Sequence, residues 1–371
     1  MEEKKYWVGF NHVKGIGAVR FQRLQDYFQN LEDAWMAPAG ELYQSGIGEK
    51  ASANLIKFRN AHDIDQLYES ILQKDIQVII KEEETYPMRL LQIAAPPPVL
   101  YVRGNLEERD QQAIAVVGTR KVTSYGKNVV RDLASVLAAN QVTIVSGLAR
   151  GVDSEAHRAI LKAGGRTIAV LGSGLDVIYP PENAQLAQEI SENGAIVSDY
   201  APGTQPEGVN FPPRNRIIAG LSMATVVIEA GERSGALITA SFTADQGKDV
   251  FAVPGSIFAP QSKGTNKLIF DGAYPLIQYD SIFEILDIHN VQYQHIVQKD
   301  APTDEVEVLI LKLLQSESQH IDDLQAASGL PVARISSALT MLELKGFIKN
   351  TGNMTYTTNY ELKEELAKYA R

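Results

Sequence analysis

Four loops of this chain place arginine and hydroxyl side chains next to glycines, a combination suited to holding phosphate groups. Each loop follows a short apolar run and precedes a stretch with helical periodicity. Glycine lets backbone N–H groups approach a ligand closely, and an arginine fork can hold two phosphate oxygens. The loops supply these candidate contacts: Gly118, Thr119 and Arg120; Ser146, Gly147 and Arg150; Gly172 and Ser173; Arg233, Ser234 and Gly235.

A fifth segment adds three candidates at the predicted start of a helix: Arg214, Asn215 and Arg216. Arginines at a helix N-terminus oppose the helix dipole by some tenths of a kcal/mol each, so their placement favours a bound anion there. The alternative is that these arginines pair with Asp199 or Glu207. Motif evidence of this kind leaves both interpretations open.

One acidic residue, Glu229, directly follows a predicted buried strand and precedes the last of the four loops. A carboxylate in this place can act as a general acid or base. More often, such a residue orients a neighbouring loop through hydrogen bonds. The sequence leaves the choice open.

The elements that must position these residues alternate between strands and helices. Short apolar runs predict six strands, at residues 113–117, 142–145, 167–171, 195–198, 224–228 and 250–253. Their near-continuous apolar character is typical of parallel strands buried on both faces. We therefore predict an α/β fold with a Rossmann-like, doubly wound parallel sheet, in which the loops after the strands share one edge.

Other segments flank this sheet. Residues 1–80 read as a helical, helix-hairpin-helix-like (SAM-like) domain with two Gly-Ile-Gly turns, which either present amides to a DNA phosphate or are ordinary tight turns. A triple proline, Pro96 to Pro98, favours an extended spacer between this domain and the sheet. The Rossmann-like domain is expected at 81–288, a linker at 289–302 and a winged-helix-like domain at 303–371. The predicted recognition helix of that last domain carries Arg334 and Lys345 but is otherwise largely neutral, which favours protein contact or weak DNA contact.

Composition narrows the classes of function. The chain has 371 residues, a net charge of −10 and no cysteine, which excludes disulfides and thiolate metal sites. The negative charge argues against nonspecific binding of nucleic acid by the whole surface, but a local basic groove remains compatible with it. The six histidines lack metal-ligand spacing, and no cofactor or metal ion is expected. The first residues lack the apolar run of a signal peptide, so we expect a cytoplasmic protein.

Five motifs follow one another along the predicted sheet domain: Val116–Arg120; Ser146-Gly147 with Gly151–Asp153; Gly172–Asp176 with Tyr179-Pro180; Phe211-Pro212 with Arg214–Ile218; and Glu229-Ala230 with Ser234-Gly235. Together with the segment from Tyr86 to Gly104 and the order of the domains, this set resembles the DNA-processing protein A (DprA, or Smf) family. The resemblance covers essentially the whole chain.

This resemblance implies a bacterial protein, without established catalytic activity, that binds single-stranded DNA and loads the RecA recombinase during natural transformation. It also implies help in displacing single-strand binding protein, and a homodimer joined through the later part of the α/β domain. For that interface we expect Leu268, Ile269 and Phe270. The DNA contacts are expected at the loop residues and arginines named above.

This sequence departs from the family pattern after Tyr179-Pro180, where some relatives carry a basic residue and this chain has Pro181 and Glu182. Lys127 or Arg150 are the candidates to replace it. An alternative function is a nucleotide-binding enzyme of the phosphoribohydrolase type, although the Pro-Gly-Gly-x-Gly-Thr loop of that class is not present. A further alternative is a transcription regulator that acts through the winged helix.

Overall fold

A computed structural model of the protein describes residues 3–288, 304–314, 318–344 and 347–358. The chain divides into two compact units, Met1–Tyr293 and Gln294–Arg371. The predicted linker at 289–302 lies outside the described residues. Within the described ranges, no helix is both long and apolar enough to cross a membrane.

The first unit is built around a nine-stranded sheet with strand order β1-β2-β6-β5-β4-β3-β7-β8-β9. The strands are β1 (Gln77–Ile80), β2 (Val99–Gly104), β3 (Ala113–Val117), β4 (Thr143–Ser146), β5 (Thr167–Val170), β6 (Gly194–Ser198), β7 (Ala224–Val227), β8 (Asp249–Ala252) and β9 (Tyr274–Pro275). All neighbours from β6 across to β9 are parallel. The six predicted strands are confirmed as β3 to β8, each within one residue at either end.

Helices cover both faces of this sheet, as the predicted doubly wound fold requires. Six helices, α1 to α6, precede β1 and are described below. The helices of the sheet domain are α7 (Met88–Leu91), α8 (Ser124–Ala139), α9 (Val152–Lys162), α10 (Ala184–Glu192), α11 (Phe211–Leu221), α12 (Gly235–Asp245), α13 (Lys263–Phe270) and α14 (Ser281–Ile285). Alternate residues of β3 divide between the faces. Ile114 and Val116 pack with α8 and α9, whereas Ala115 and Val117 pack with α11 and α12. Short 3₁₀ turns occur at Glu108–Gln111, Pro181–Asn183, Gly208–Asn210 and Pro260–Ser262.

The segment around the triple proline is more ordered than the predicted spacer. Residues Val99–Gly104 form β2, which pairs antiparallel with both β1 and β6, and a short helix, α7, precedes the prolines. The apolar run Val99 to Val102 is fully buried, so it completes the edge of the sheet and does not bridge two bodies. The prolines end before the first residue that must donate to the sheet.

Six helices precede the sheet: α1 (Lys4–His12), α2 (Ala18–Tyr27), α3 (Leu31–Met36), α4 (Ala39–Gln44), α5 (Glu49–Ala61) and α6 (Ile64–Leu72). The two Gly-Ile-Gly turns lie directly before α2 and α5, as the sequence predicts. Buried aromatic residues hold these helices together, and the same core continues onto the sheet through Tyr101 and Ile196. The hydroxyl of Tyr101 donates to Asn11 Oδ1 at 3.0 Å, which ties α1 to β2.

The second unit has the winged-helix pattern that the sequence predicts. Its elements are α15 (Glu305–Leu314), β10 (Gln319–His320), α16 (Ile321–Ser328), α17 (Val332–Leu344), β11 (Ile348–Gly352) and β12 (Thr355–Thr358). The strands form a sheet of order β10-β12-β11. Ile335, Leu339 and Leu342 of α17 face the core, and Arg334 is exposed. Lys345 lies outside the described residues.

Candidate nucleic-acid interface

The loops that follow β3, β4, β5 and β7 meet at one edge of the sheet, hereafter the carboxyl edge (residues 118–123, 146–151, 172–174 and 231–235). The Thr119 amide donates to the Glu229 carbonyl at 2.7 Å, and the Val152 amide donates to the Thr119 carbonyl at 3.1 Å. Asn215 Nδ2 donates to the Gly235 carbonyl at 3.3 Å. These bonds join loops that lie far apart in the sequence, because parallel strands bring their carboxyl ends together.

Arg120 is an exposed cation at this edge. Its side chain is open to solvent, and no carboxylate pairs with it among the residues that the structure describes. The guanidinium Cζ lies 5.9 Å from the centre of the Phe211 ring. An arginine that stacks on an aromatic ring keeps its N–H fork free for a phosphate.

Phe211 is the aromatic centre of the site. Arg214 Cζ lies 5.9 Å from the same ring centre, and the Tyr179 ring lies 5.8 Å away from it. A Cβ on Gly172 would lie 2.9 Å from Phe211 Cδ1, so the glycine makes room for the ring. Both aromatic side chains are half-buried and offer surfaces on which a nucleobase can stack. Neither aromatic residue is among the contacts predicted from the sequence, although both belong to the motifs Tyr179-Pro180 and Phe211-Pro212.

Arg214 lies beneath this surface and is only 5% exposed. Its Nη1 donates to the carbonyl oxygens of Gly147, at 2.9 Å, and Val170. Its Nε donates to Asn215 Oδ1 at 3.2 Å. Burial lowers the pKa of Arg214, and the nearby Asp153 acts in the opposite direction. Arg214 thus connects the loop after β4 to the end of β5. Its buried positive charge lies directly beneath the carboxyl edge.

Gly147 and Asp153 complete the surroundings of Arg214. A Cβ on Gly147 would lie 2.7 Å from Asp153 Oδ2 and 2.8 Å from Arg214 Nη2, so only glycine fits without a shift. Asp153 is 7% exposed, and its Oδ2 accepts from the Ala149 amide at 3.3 Å. This carboxylate reaches back to the loop. It does not cap α9, whose N-cap is Gly151.

Arg216 lies apart from Arg214, because two positions correspond to about 200° around a helix. Its guanidinium donates to the Ala95 carbonyl and, at 3.3 Å, to Asp199 Oδ2. Pairing with Asp199 was one of the two interpretations left open by the sequence, and it holds for this arginine. The structure therefore does not bring Arg216 together with Arg120.

Arg150 is at the exposed rim, where it forms a two-point ion pair with Glu182. Its Nη2 donates to Glu182 Oε2 at 3.1 Å, and its Nε donates to Oε1 of the same carboxylate. The hydrogen bond between them raises the pKa of Arg150 and lowers the pKa of Glu182. Glu182 lies in the segment where some relatives have a cation. It pairs with Arg150, one of the two residues considered as a replacement for that cation. Lys127, the other candidate, is exposed in the first turn of α8.

The hydroxyl groups at this edge are used within the protein. Ser146 Oγ donates to the Val116 carbonyl at 2.6 Å, and Ser173 Oγ donates to the Val177 carbonyl at 2.8 Å. Ser234 Oγ accepts from the Ala236 amide at 3.3 Å and caps α12. Arg233 and Gly235 are exposed beside it, and Gly118 is half-buried.

Glu229 orients the loop that carries Arg120. Its Oε1 accepts from Thr123 Oγ1 at 2.6 Å and its Oε2 accepts from the Thr123 amide at 2.9 Å. The carboxylate is 3% exposed. Of the two roles weighed for Glu229, the structure therefore supports the orientation of a loop.

The residues expected at a dimer interface differ in exposure. Leu268 and Ile269 are half-buried, with Leu268 packed against the core, and Phe270 is 89% exposed. Phe258, in the loop after β8, is 88% exposed. Ile257 and Ile277 are also exposed, so several large apolar side chains face solvent in the last part of the sheet domain.

Two protein-family models match this chain. The family model described as DNA recombination-mediator protein A matches residues 77–287, and the model of the DprA winged helix domain matches residues 297–352. The first match alone covers more than half of the chain. This chain belongs to the DNA recombination-mediator protein A (DprA/Smf) family.

Individual DprA relatives agree with this assignment. Protein Smf of Synechocystis sp. is 36% identical over 393 residues, which cover 95% of this chain and 98% of that protein. The X-ray structure of DprA from Streptococcus pneumoniae superposes with a TM-score of 0.67 at 33% identity and covers 76% of this chain and 97% of its own.

The structure of DprA from Helicobacter pylori has a TM-score of 0.52 at 32% identity and covers 57% of this chain and 95% of its own. That structure is described as giving insight into a single-stranded DNA binding mode. In the present chain, the predicted contact residues from Gly118 to Gly235 all lie inside the segment that the DprA family model matches.

Proposed function

We propose that this protein binds single-stranded DNA along the carboxyl edge and acts in DNA processing without catalysing a reaction. The observation that carries the proposal is the convergence of Arg120, Arg214 and Tyr179 on the Phe211 ring. An exposed cation beside half-buried aromatic rings is the combination that binds single strands with little sequence preference. The DNA-binding mode described for the Helicobacter pylori relative supports the same ligand.

The residues divide into two roles in this proposal. Arg120, Arg233, the Thr119 side chain and the backbone amides at Gly118 and Gly235 contact the strand directly, whereas the Thr119 amide is bonded to Glu229 and Gly172 is buried under Phe211. The buried residues Ser146, Gly147, Ser173, Arg214 and Asn215 hold the loops in position, and Ser234 caps the helix beside them. Arg214 contributes its charge through a thin layer of protein, where screening by solvent is weak.

The decisive experiment measures the affinity of Arg120→Ala for fluorescent oligothymidylate by anisotropy over a range of salt concentrations. We expect a loss of at least tenfold in affinity, about 1.4 kcal/mol, because a charged contact is removed. The slope of log affinity against log salt should become shallower by about 0.7, the value for one phosphate on a single strand.

Lys162→Ala is the matched control, since Lys162 is an exposed cation at the end of α9 and lies away from the carboxyl edge. Equal affinity of Arg120→Ala and the wild-type protein would refute the proposed interface. A loss of the same size in Lys162→Ala would show that only net charge matters.

We propose further that the chain acts in the cytoplasm as a homodimer and loads RecA onto the bound strand, with displacement of single-strand binding protein. The exposed Phe270 and Phe258 support an interface in the last part of the sheet domain. Sedimentation of Phe270→Glu tests the dimer. Assembly of RecA on strands coated with single-strand binding protein tests the loading, with and without this protein.

The absence of catalysis rests on Glu229, the carboxylate weighed as a catalytic group, because both of its oxygens accept hydrogen bonds from Thr123. Incubation with nucleoside monophosphates should therefore release no free base. Base release that Glu229→Gln abolishes would establish the phosphoribohydrolase alternative instead.

A further inference from the structure

A second arginine-lined concavity lies where the first Gly-Ile-Gly turn meets helix α11. This space, which we call the α2 cleft, has a volume of about 360 Å³. The turn and the start of α2 form one wall, and Ala95 with Arg216 forms the other. Three arginines line it: Arg20, Arg23 and Arg216. The first Gly-Ile-Gly turn precedes the segment that the DprA family model matches, and the carboxyl edge does not include it.

The positive charge of the α2 cleft is largely uncompensated. Arg20 Nη1 donates to the Gly15 carbonyl at 2.6 Å, and Arg23 Nη1 donates to the Gly46 carbonyl at 2.6 Å. Both acceptors are neutral, and over the described residues neither arginine forms an ion pair with a carboxylate. Arg216 alone shares its charge, with Asp199 at 3.3 Å. The cleft therefore attracts an anion.

The two arginines of α2 are already oriented for such a ligand. Each uses one Nη atom to hold a Gly-Ile-Gly turn, which fixes the guanidinium plane and leaves other N–H groups for an acceptor. Gly17, the N-cap of α2, has no side chain with which to cap the first amides of the helix. Amides and guanidinium groups thus line the same wall of the cleft.

The α2 cleft and the carboxyl edge share helix α11. Arg216 stands on this helix two residues after Arg214 and five residues after Phe211, so the helix connects the two surfaces. Asn11 Nδ2 donates to the Asp199 carbonyl at 3.2 Å, which fixes α1 beside the residue that pairs with Arg216. Asp199 also acts electrostatically on the buried Arg214. Residues that contribute to the two surfaces therefore lie within five positions of each other on one helix.

We propose that the α2 cleft is a second phosphate site, which binds a backbone phosphate of the strand held at the carboxyl edge. This inference rests on the proposed function and extends it to the N-terminal helices. The recognised group is a phosphate, which either a DNA strand or free inorganic phosphate can supply. A strand long enough to reach both surfaces should bind more tightly than one that fills the carboxyl edge alone.

The test compares the wild-type protein with the double variant Arg20→Gln/Arg23→Gln on oligothymidylates from about 4 to about 20 nucleotides, the range of known single-strand site sizes. We expect the variant to match the wild-type affinity for the shortest strands and to lose roughly tenfold for the longest. The salt slope for long strands should fall by about 1.4, since two charges are removed at about 0.7 each.

Lys57→Gln/Lys162→Gln is the matched control, because it removes two exposed cations that do not line the cleft. Thermal unfolding of each variant separates a lost contact from a lost fold. The variant Arg20→Lys/Arg23→Lys keeps the charge without the fork and should recover part of the long-strand affinity if the fold is intact.

Competition by inorganic phosphate distinguishes the two sources of the ligand. Phosphate should weaken long-strand binding to the wild-type protein more than to the double variant, beyond the effect of chloride at equal ionic strength. Equal losses for short and long strands, or a loss of the same size in the lysine control, would overturn the second site. So would phosphate-dependent stabilisation of the wild-type protein without any length-dependent difference in DNA affinity. If the wild-type protein binds no strand of any length, the proposed function itself fails.

Discussion

The contact between Gly147 and Arg214 offers a sharp test of how the carboxyl edge is built. In Gly147→Ala, the new methyl group would lie 2.7 Å from Asp153 Oδ2 and 2.8 Å from Arg214 Nη2. Carbon and polar atoms rarely approach closer than about 3.0 Å without displacement. Both neighbours are buried and bonded on other sides, so neither can swing into solvent. The methyl group must displace either the loop after β4 or the guanidinium of Arg214.

The loss of stability in Gly147→Ala depends on whether the loop or the Arg214 guanidinium is displaced. An extra methyl group in a packed interior costs about 1–3 kcal/mol. Loss of the 2.9 Å bond from Arg214 Nη1 to the Gly147 carbonyl, a bond from a charged donor, costs about 1.5–3 kcal/mol. A shift of Arg214 relieves the overpacking but loses the hydrogen bond, so the two costs do not add in full. We therefore expect a net destabilisation of about 2 kcal/mol. For the unit Met1–Tyr293, that corresponds to a fall of roughly 3 °C in the melting temperature.

Calorimetry and strand-binding anisotropy check the expectation together. Because Arg214 stacks on Phe211, its displacement should also lower the affinity for single strands by at least tenfold, about 1.4 kcal/mol. Gly235→Ala is the matched control for stability, since a Cβ there meets no atom within 4 Å and the residue begins α12. That control should be as stable as the wild-type protein or slightly more stable. Wild-type stability and affinity in Gly147→Ala would refute the role assigned to Arg214.

Two further predictions concern charge. Glu182→Gln should raise the affinity for single strands several-fold, because it releases Arg150 from its exposed ion pair, and it should leave the melting temperature nearly unchanged; Glu189→Gln, an equal charge change on α10, is the control, and an equal gain there would contradict the assignment to Arg150. His157 is fully buried, and burial lowers its pKa to about 3, so between pH 6.5 and 3 the unfolded chain binds a proton that the folded protein does not. Its contribution to the free energy of unfolding should therefore fall by about 2 kcal/mol from pH 7 to pH 5. Urea unfolding of the wild-type protein and His157→Gln at both pH values should show their difference shrinking by that amount, and parallel profiles would disprove it.

Much of the architecture follows from local patterns in the sequence. The run Ala113 to Val117 is apolar at every position and ends at a glycine, and such a run fits a strand that is buried on both faces. Alternation of these runs with helical segments then requires parallel pairing, which carries Arg120 and Gly147 to the same edge. The two Gly-Ile-Gly turns and the winged helix were predictable in the same way, from spacing alone.

The partners of the charged groups depend on the tertiary structure. Helical periodicity separates Arg214 from Arg216, but packing against β4 and β5 decides which of them is buried. The pair of Arg150 with Glu182 joins residues 32 positions apart, and its geometry depends on how two loops meet. The sequence after Tyr179-Pro180 shows that a basic residue is not present there. It does not show that the Glu182 carboxylate pairs with Arg150.

The sequence by itself determined the six strands β3 to β8, their alternation with helices and the edge at which the glycine loops gather, because hydrophobic periodicity and backbone preferences act over a few neighbouring residues. Only the tertiary structure decided that Val99–Gly104 completes the sheet, that Phe211 collects two arginines, and that Arg20 and Arg216 share a cleft. These features join segments up to about two hundred residues apart, and contacts over such separations arise from the packing of whole elements. No local pattern encodes which surfaces of those elements will meet.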